Sequence, residues 1–357
     1  MVDVTKENFN HLCPEILDAI KNATFVAVDT EFTGLPDNTF KAKLKKNFDS
    51  TYTKFKLNVQ NLIIFQYLSI FWGVPNVNGY SVKTYNFYLC PHSCLSHDET
   101  FTCQTSGFEF LQAYNFDFNK WLYEGIPFLN ADQKQELHKE LQQIVNGDNV
   151  PRTPHEVSDL LSEVAQWGQE ASDGDKTTYK TLHNFTYQLL FILNVRQQCT
   201  TLWANQDQDG QIVVTKVKQE ERKDLESKDP KYEKFIETCV DKMFGFSSIF
   251  HCLVEHRKPL ILHNCLLDLI LMYKQFHRHL PRNYEVFKND IHNIFPLIYD
   301  TKFLANELKF YFRDKDEKAV KILSESNLGK LSTSLQQELP VLYRPFIQQE
   351  QQDSKYE

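Results

Sequence analysis

The densest chemistry in this sequence lies in Thr24-Phe-Val-Ala-Val-Asp-Thr-Glu-Phe-Thr-Gly34, where an apolar run ends in two carboxylates, Asp29 and Glu31. A short, unbroken apolar run reads as a fully buried strand. On a strand, residues i and i+2 point to the same face. Asp29 and Glu31 are therefore expected to converge beyond the strand end, with Gly34 letting the chain turn away. Paired hard oxygen donors suit Mg²⁺ or Mn²⁺, and a cation would offset the cost of burying two like charges. A bare Asp-x-Glu also suits a solvated acidic turn, and short motifs match by chance. The second constellation is Lys258-Pro-Leu-Ile-Leu-His-Asn-Cys-Leu-Leu-Asp268. Here a short strand, 260–262, ends in His263 and Asn264, and a helix follows over 266–276. Asp268 falls near its first turn, either as a third metal carboxylate or as an ordinary acid favoured by the helix dipole.

The elements that must position these residues can be read from periodicity. Phe9, Leu12, Ile16, Leu17 and Ile20 fall at helical spacing and predict a helix over 5–22. Strands are predicted at 24–29, 62–71, 83–89, 260–263 and 297–299. Gly73 to Gly79, with its Pro and Asn residues, reads as the loop joining the second and third of them. Helices are predicted over 40–58, 107–123 and 131–145. Polar segments at 147–153 and 219–231 read as linkers. They bracket an insertion with helices at 154–171 and 179–196 and a strand at 211–217. Gln348 to Glu357 reads as disordered. This order of elements implies an α/β protein with a mixed sheet flanked by helices.

Asp-x-Glu followed far downstream by His-Asn-x-x-x-Asp resembles the DEDD exonucleases. Further segments carry a closer resemblance: Asn86-Phe-Tyr-Leu-Cys-Pro91, Phe116-Asp-Phe-Asn-Lys120, Gly125-Ile-Pro-Phe-Leu-Asn130, Gly245-Phe-Ser247 and Phe295-Pro-Leu-Ile-Tyr-Asp-Thr-Lys302. With the first motif they occur in family order, and together they make the chain similar to the poly(A)-specific ribonuclease (PARN) family. The likeness is greatest to its PARN-like-domain branch, which includes the piRNA 3′-end trimmers. The resemblance implies a ribonuclease-H-like mixed sheet with a small α+β insertion domain. It divides the chain into nuclease segments at 1–150 and 233–310, an insertion at 151–232 and a polar tail at 311–357. It implies a 3′-to-5′ exoribonuclease that trims single-stranded RNA ends, poly(A) or small-RNA precursors, with two Mg²⁺ or Mn²⁺ ions. Asp29, Glu31 and Asp268 are the implied catalytic and metal residues. His263, Asn264, Phe32 and Asp300 are the implied outer-shell or substrate-positioning residues. The family's third motif, roughly His-x-Ala-x-Tyr-Asp, carries a general-base His and a fourth carboxylate; no such motif occurs in this sequence. A catalytically impaired RNA-binding or regulatory relative is therefore the alternative. The insertion also lacks the Arg-x-x-x-His expected of a single-strand-binding domain in that position. Single-stranded RNA is the expected partner, with a second copy of the chain or a small-RNA pathway protein as further candidates.

A net charge of −8 runs against nucleic-acid binding, but affinity follows local rather than net potential. Lys41, Lys43, Lys45, Lys46, Lys54 and Lys56 cluster just after the first carboxylate strand, interleaved with Phe40, Phe48, Tyr52 and Phe55. The pattern suits either lysines on phosphates with rings stacked on bases or a solvated helix with its aromatics in the core. Lys43, Lys45 and Lys46 are the candidate RNA contacts. A second basic group, Lys274, His277, Arg278, His279 and Arg282, carries the same ambiguity. The eight cysteines show no CxxC pair, which favours free thiols in a reducing compartment over zinc or disulfides. With no signal-like leader and no long apolar run, a cytoplasmic protein without a membrane segment is expected.

Overall fold

The computed structural model describes residues 1–35, 48–76, 79–179, 182, 184–207, 210–325, 327–338 and 347–349. Ten strands run along them: β1 (Val2–Val4), β2 (Phe25–Phe32), β3 (Ile64–Asn76), β4 (Gly79–Tyr88), β5 (Lys176–Tyr179), β6 (Leu202–Gln206), β7 (Ile212–Lys216), β8 (Leu260–Leu262), β9 (Ile298–Asp300) and β10 (Ile347–Gln349). The chain forms two compact units. One comprises residues 1–90, 100–130 and 246–357; the other comprises 91–99 and 131–245. The second unit thus takes in 131–150 and 233–245, beyond the 151–232 expected of an insertion.

The first unit is built on a seven-stranded mixed sheet of order β1-β4-β3-β2-β8-β9, with β10 also pairing β4. β2 runs antiparallel to β3 and parallel to β8, and β8 runs parallel to β9. The order β4-β3-β2-β8-β9 with one antiparallel member, β3, is the ribonuclease-H-like arrangement. Val26, Val28 and Thr30 of β2 are buried, as a central strand requires. The main core gathers Ile16 and Ile20 of the helix Phe9–Asn22, Tyr67 and Phe87 of the sheet, and Phe250, Ile270 and Phe276 from later helices. In an open α/β sheet, ligands bind beyond the carboxyl ends of the parallel strands. That end of β2, β8 and β9 carries Asp29 and Glu31, His263 and Asn264, and Asp300.

The second unit holds a three-stranded antiparallel sheet of order β5-β7-β6. The helices His155–Glu170 and Phe185–Gln198 help to build its core, which includes Val157, Val164, Phe191, Val195 and Val214.

Several elements differ from expectation. β3 and β4 extend through the predicted loop to Asn76 and from Gly79. Gly73 belongs to this ribbon: a side-chain carbon there would overlap the Ser81 hydroxyl across it. The helix expected over 107–123 is two, Thr105–Ala113 and Phe118–Glu124. Between them Asn115 takes a left-handed backbone and Asp117 caps the second helix through the Lys120 N–H. The supposed linker at 219–231 contains the helix Gln219–Lys228. Arg222 ties it down, donating to the carbonyls of Cys199, Leu202 and Arg196 and pairing with Glu226. The supposed tail at 311–357 contains the helices Glu317–Leu323 and Leu328–Glu338, whose Leu323 and Leu331 share a small core with Ala305 of the preceding helix Thr301–Phe312. Gln348 and Gln349, expected to be disordered, pair with Ser81 and Val82 of β4. Among the described residues no helix is long and apolar enough to cross a membrane.

Candidate active site

β2 ends in a register shift between Glu31 and Phe32 against β3. Such bulges bend a strand and re-aim the side chains beside them. Asp29 is exposed and Glu31 half-buried, on the face opposite buried Val28 and Thr30. The pairing of Val26 with Leu260 and Ala27 with Ile261, continued two residues, brings Asp29 level with His263.

Asp268 lies in the first turn of the helix Leu266–Met272 and is only 8% exposed. The Thr30 hydroxyl donates to its Oδ1 at 2.6 Å, a bond between residues 238 positions apart in sequence. Burial pushes the Asp268 carboxyl up to about 6, opposed by the Thr30 hydrogen bond and reinforced by Asp29 and Asp300. Glu31 is pushed up to about 7, first by burial and then by the charges of Asp29 and Asp268. Asp29 is also raised by burial, against the lowering effects of the Thr30 N–H and of His263. Solvent reaches Asp29, so its shift weighs least of the three. Asp29, Glu31 and Asp268 therefore act on one another electrostatically, although they come from segments far apart in sequence.

They are not closed into a cage. Among the described residues, no three His, Cys, Asp or Glu side chains meet as a ready-made metal group. Mutual repulsion opposes closure, and Thr30 already engages one oxygen of Asp268. As a donor set the three carboxylates still match a hard divalent cation, which would relieve both their repulsion and their desolvation.

The neighbouring polar residues have defined tasks. Thr301 Oγ1 donates to the Leu262 carbonyl at 3.0 Å and lies 2.9 Å from His263 Nδ1. A hydroxyl has one hydrogen to give, so His263 Nδ1 is the donor in that contact. Asn264 holds a left-handed backbone (φ 64°), a conformation Asn tolerates better than most residues. Asp300 accepts four backbone N–H groups: Asn264 and Cys265 at 3.0 Å each, Lys302 at 2.9 Å and Phe303 at 3.2 Å. Burial raises its carboxyl, but these four bonds outweigh it and leave it below the usual range. Asp300 thus ties the turn before the Asp268 helix to the start of the helix Thr301–Phe312. Phe32 is partly buried and packs against the main core. Sequence reasoning missed Thr30 and Thr301, although Thr30 stands between Asp29 and Glu31 and Thr301 directly follows Asp300.

Lys43, Lys45 and Lys46 lie outside the described residues. Where the same cluster is described, Lys56 donates to the carbonyls of Leu280 and Pro281 at 2.9 Å each. Tyr52 is buried and stacks on Phe287 at 5.2 Å, and Phe55 packs against the core. Lys274 of the second basic group donates to the carbonyls of Gln60 at 2.6 Å and Leu62 at 3.2 Å. It follows the helix Leu266–Met272 within a five-residue π-helical turn, Tyr273–His277. Lys56, Lys274, Tyr52 and Phe55 are structural ties and core residues.

The chain is similar to known proteins along most of its length. Mouse poly(A)-specific ribonuclease PNLDC1 is 31% identical over 317 residues, covering 86% of this chain and 59% of that protein. The Bombyx mori pre-piRNA 3′-exonuclease trimmer is 28% identical over 318 residues, covering 86% of this chain and 58% of that protein. The chain thus spans somewhat over half the length of these relatives. The solved structure of S. pombe Pop2p in its Mg²⁺- and Mn²⁺-bound form is 15% identical, with a TM-score of 0.42 over 94% of this chain and 81% of that one. The profile of the CAF1 family ribonucleases matches residues 4–357, nearly the whole sequence, and the chain belongs to that family.

Proposed function

We propose that this chain carries a divalent-metal-dependent 3′-to-5′ exoribonuclease site acting on single-stranded RNA ends. The observation that carries the reading is the electrostatically coupled trio Asp29, Glu31 and Asp268 at the carboxyl end of the central strand. These three would hold Mg²⁺ or Mn²⁺, two ions in the complete family site. The metal would supply an activated water and charge stabilisation at the leaving 3′ oxygen. The chain's own residues set the stage for it. Thr30 fixes the orientation of Asp268, and Asp300 fixes the helix that bears it. His263, with Nδ1 directed at Thr301, keeps an imidazole level with Asp29 for orienting substrate or water. The relatives named as poly(A) and pre-piRNA nucleases make adenylate tails and small-RNA precursors the substrate classes to test. Eight free thiols suit a reducing compartment such as the cytoplasm.

A second reading is favoured by one observation. The Asp300 carboxylate already accepts four backbone N–H groups, which argues against its serving as a fourth metal ligand in place of the third family motif that the sequence lacks. On that reading the chain binds metal and RNA but cleaves slowly or not at all. A 5′-labelled single-stranded RNA incubated with the chain and Mn²⁺ separates the two. A ladder of products shortened from the 3′ end, lost in Asp29→Asn, supports the nuclease. Retained RNA binding with intact RNA at every time point supports the impaired relative.

A further inference from the structure

The second unit contains a pocket of about 190 Å³ that the nuclease reading leaves unused. Its walls come from the helix Phe185–Gln198, from β6 and from the helix Glu233–Phe244. Phe185 and Phe235 contribute aromatic surface, Thr238 an exposed position, and Arg196 the charge.

Arg196 is only 5% exposed. Trp203 and Phe235 stack on its guanidinium, with ring centroids 4.4 and 4.6 Å from the central carbon. Its Nε donates to the Ala204 carbonyl at 2.7 Å, and Nη2 donates to the Asn205 side chain. A guanidinium has five N–H donors, so three remain after these two bonds. Among the described residues no carboxylate forms an ion pair with Arg196, and none lines the pocket. The charge of Asp229 acts on Arg196. Its oxygens, however, accept the Lys234 and Phe235 N–H groups at 3.1 and 3.0 Å, capping the helix that follows. Arg222 adds a second positive charge, already paired with Glu226 and with four of its five donors engaged. Lys242 adds a third nearby, 5.7 Å from the centre of the Phe185 ring. A buried cation with no carboxylate in direct contact is costly, and the remaining edge of an arginine fork matches an oxyanion.

We propose that this pocket binds the phosphate of a nucleotide, with Arg196 as the anion clamp. The volume exceeds what a bare oxyanion needs, and the rings of Phe185 and Phe235 offer a base an apolar surface on which to stack. The nucleotide can be a free mononucleotide or a residue of an RNA chain; both present the same phosphate chemistry. This site does not depend on the carboxylate trio, so variants there leave it unchanged.

Trp203 beside Arg196 is a built-in reporter. Its emission is titrated in the intact chain with adenosine 5′-monophosphate, inorganic phosphate, adenosine and a short single-stranded RNA, and a Trp203→Phe chain assigns the signal. A saturable change is expected with the monophosphate, a weaker one with phosphate, and none with adenosine. A response to RNA with mononucleotide and phosphate both silent would assign the ligand to the RNA chain. Arg196→Gln is expected to weaken binding at least about tenfold, as loss of a charge-assisted fork does. Because Arg196 also braces the unit, Thr238→Glu provides the second test: it places a carboxylate on the pocket wall at an exposed position. It should weaken binding about as much with an unchanged circular dichroism spectrum, while Thr238→Gln retains it. No saturable response to any phosphate-bearing probe would overturn the proposal. So would an equal response to adenosine, or undiminished binding in Thr238→Glu.

Discussion

Replacing Asp300 tests whether this carboxylate organises the site or binds metal. In Asp300→Ala four backbone N–H groups lose their acceptor. Two of them, at Lys302 and Phe303, form the cap of the helix Thr301–Phe312, and losing such a cap costs roughly 1 kcal/mol. Of the other two, the N–H of exposed Asn264 can turn to water, whereas that of buried Cys265 cannot. A buried donor left without a partner costs about 1–3 kcal/mol. The sum is about 3 kcal/mol, or roughly 6–12 °C in the melting temperature of a domain of this size. Asp300→Asn keeps one acceptor oxygen and should lose about half as much. The Asp300 carboxyl lies below its ordinary range in the fold. Its contribution is therefore present above that range and is lost on acidification, so the gap between wild type and Ala should close toward acid pH. Thermal unfolding followed by circular dichroism reads all of this. An unchanged melting temperature in Asp300→Ala at neutral pH would refute the tie. An Asp300→Asn chain that melts like wild type yet no longer binds Mn²⁺ would make Asp300 a ligand instead.

Glu31 carries the opposite sign. Its carboxyl is raised from 4.5 to about 7, so the stability it contributes is full below 4.5 and is lost as pH rises through 7. In a chelating buffer, Glu31→Gln should be more stable than wild type at pH 8 by about 1–2 kcal/mol, after discounting for solvent screening. The two chains should melt together near pH 4; a gap independent of pH would contradict the coupling. Thr30→Val removes the donor to Asp268 and should cost about 1–3 kcal/mol, with Thr30→Ser recovering most of the loss in melting temperature; equal losses in both would deny the bond its role. Arg222→Ala frees the helix Gln219–Lys228 from three carbonyls and should make that segment the first site of limited proteolysis. A cleavage pattern like that of wild type would restore the linker description.

The sequence made some of this architecture plain and hid the rest. The β2 and β8 segments were legible because a buried parallel strand is a short apolar run, and each ends at once in polar residues that have no place in a core. The helix Gln219–Lys228 was hidden because Leu225 is its only large apolar residue and what holds it is Arg222 reaching carbonyls some 20 residues away. β5, Lys-Thr-Thr-Tyr, has too little apolar character to register as a strand before β7 pairs with it. Gly73, Pro75 and Asn76 mimic a loop, yet they continue a ribbon whose register slips between Trp72 and Pro75. At the site, carboxylates announce themselves by type and spacing. The residues that orient them, Thr30 and Thr301, are common side chains whose roles appear only once distant segments are brought together.

The central claim is that Asp29, Glu31 and Asp268 serve one divalent cation site. Its most direct measurement is a Mn²⁺ titration followed by electron paramagnetic resonance of free Mn²⁺, on the wild-type chain and on Asp29→Asn, Glu31→Gln and Asp268→Asn separately. The wild type should bind saturably, and each single variant should weaken binding at least about tenfold, the lower end of what even an outer-shell loss costs a metal site. Equal Mn²⁺ affinity in all four chains, or none in the wild type, would contradict the account.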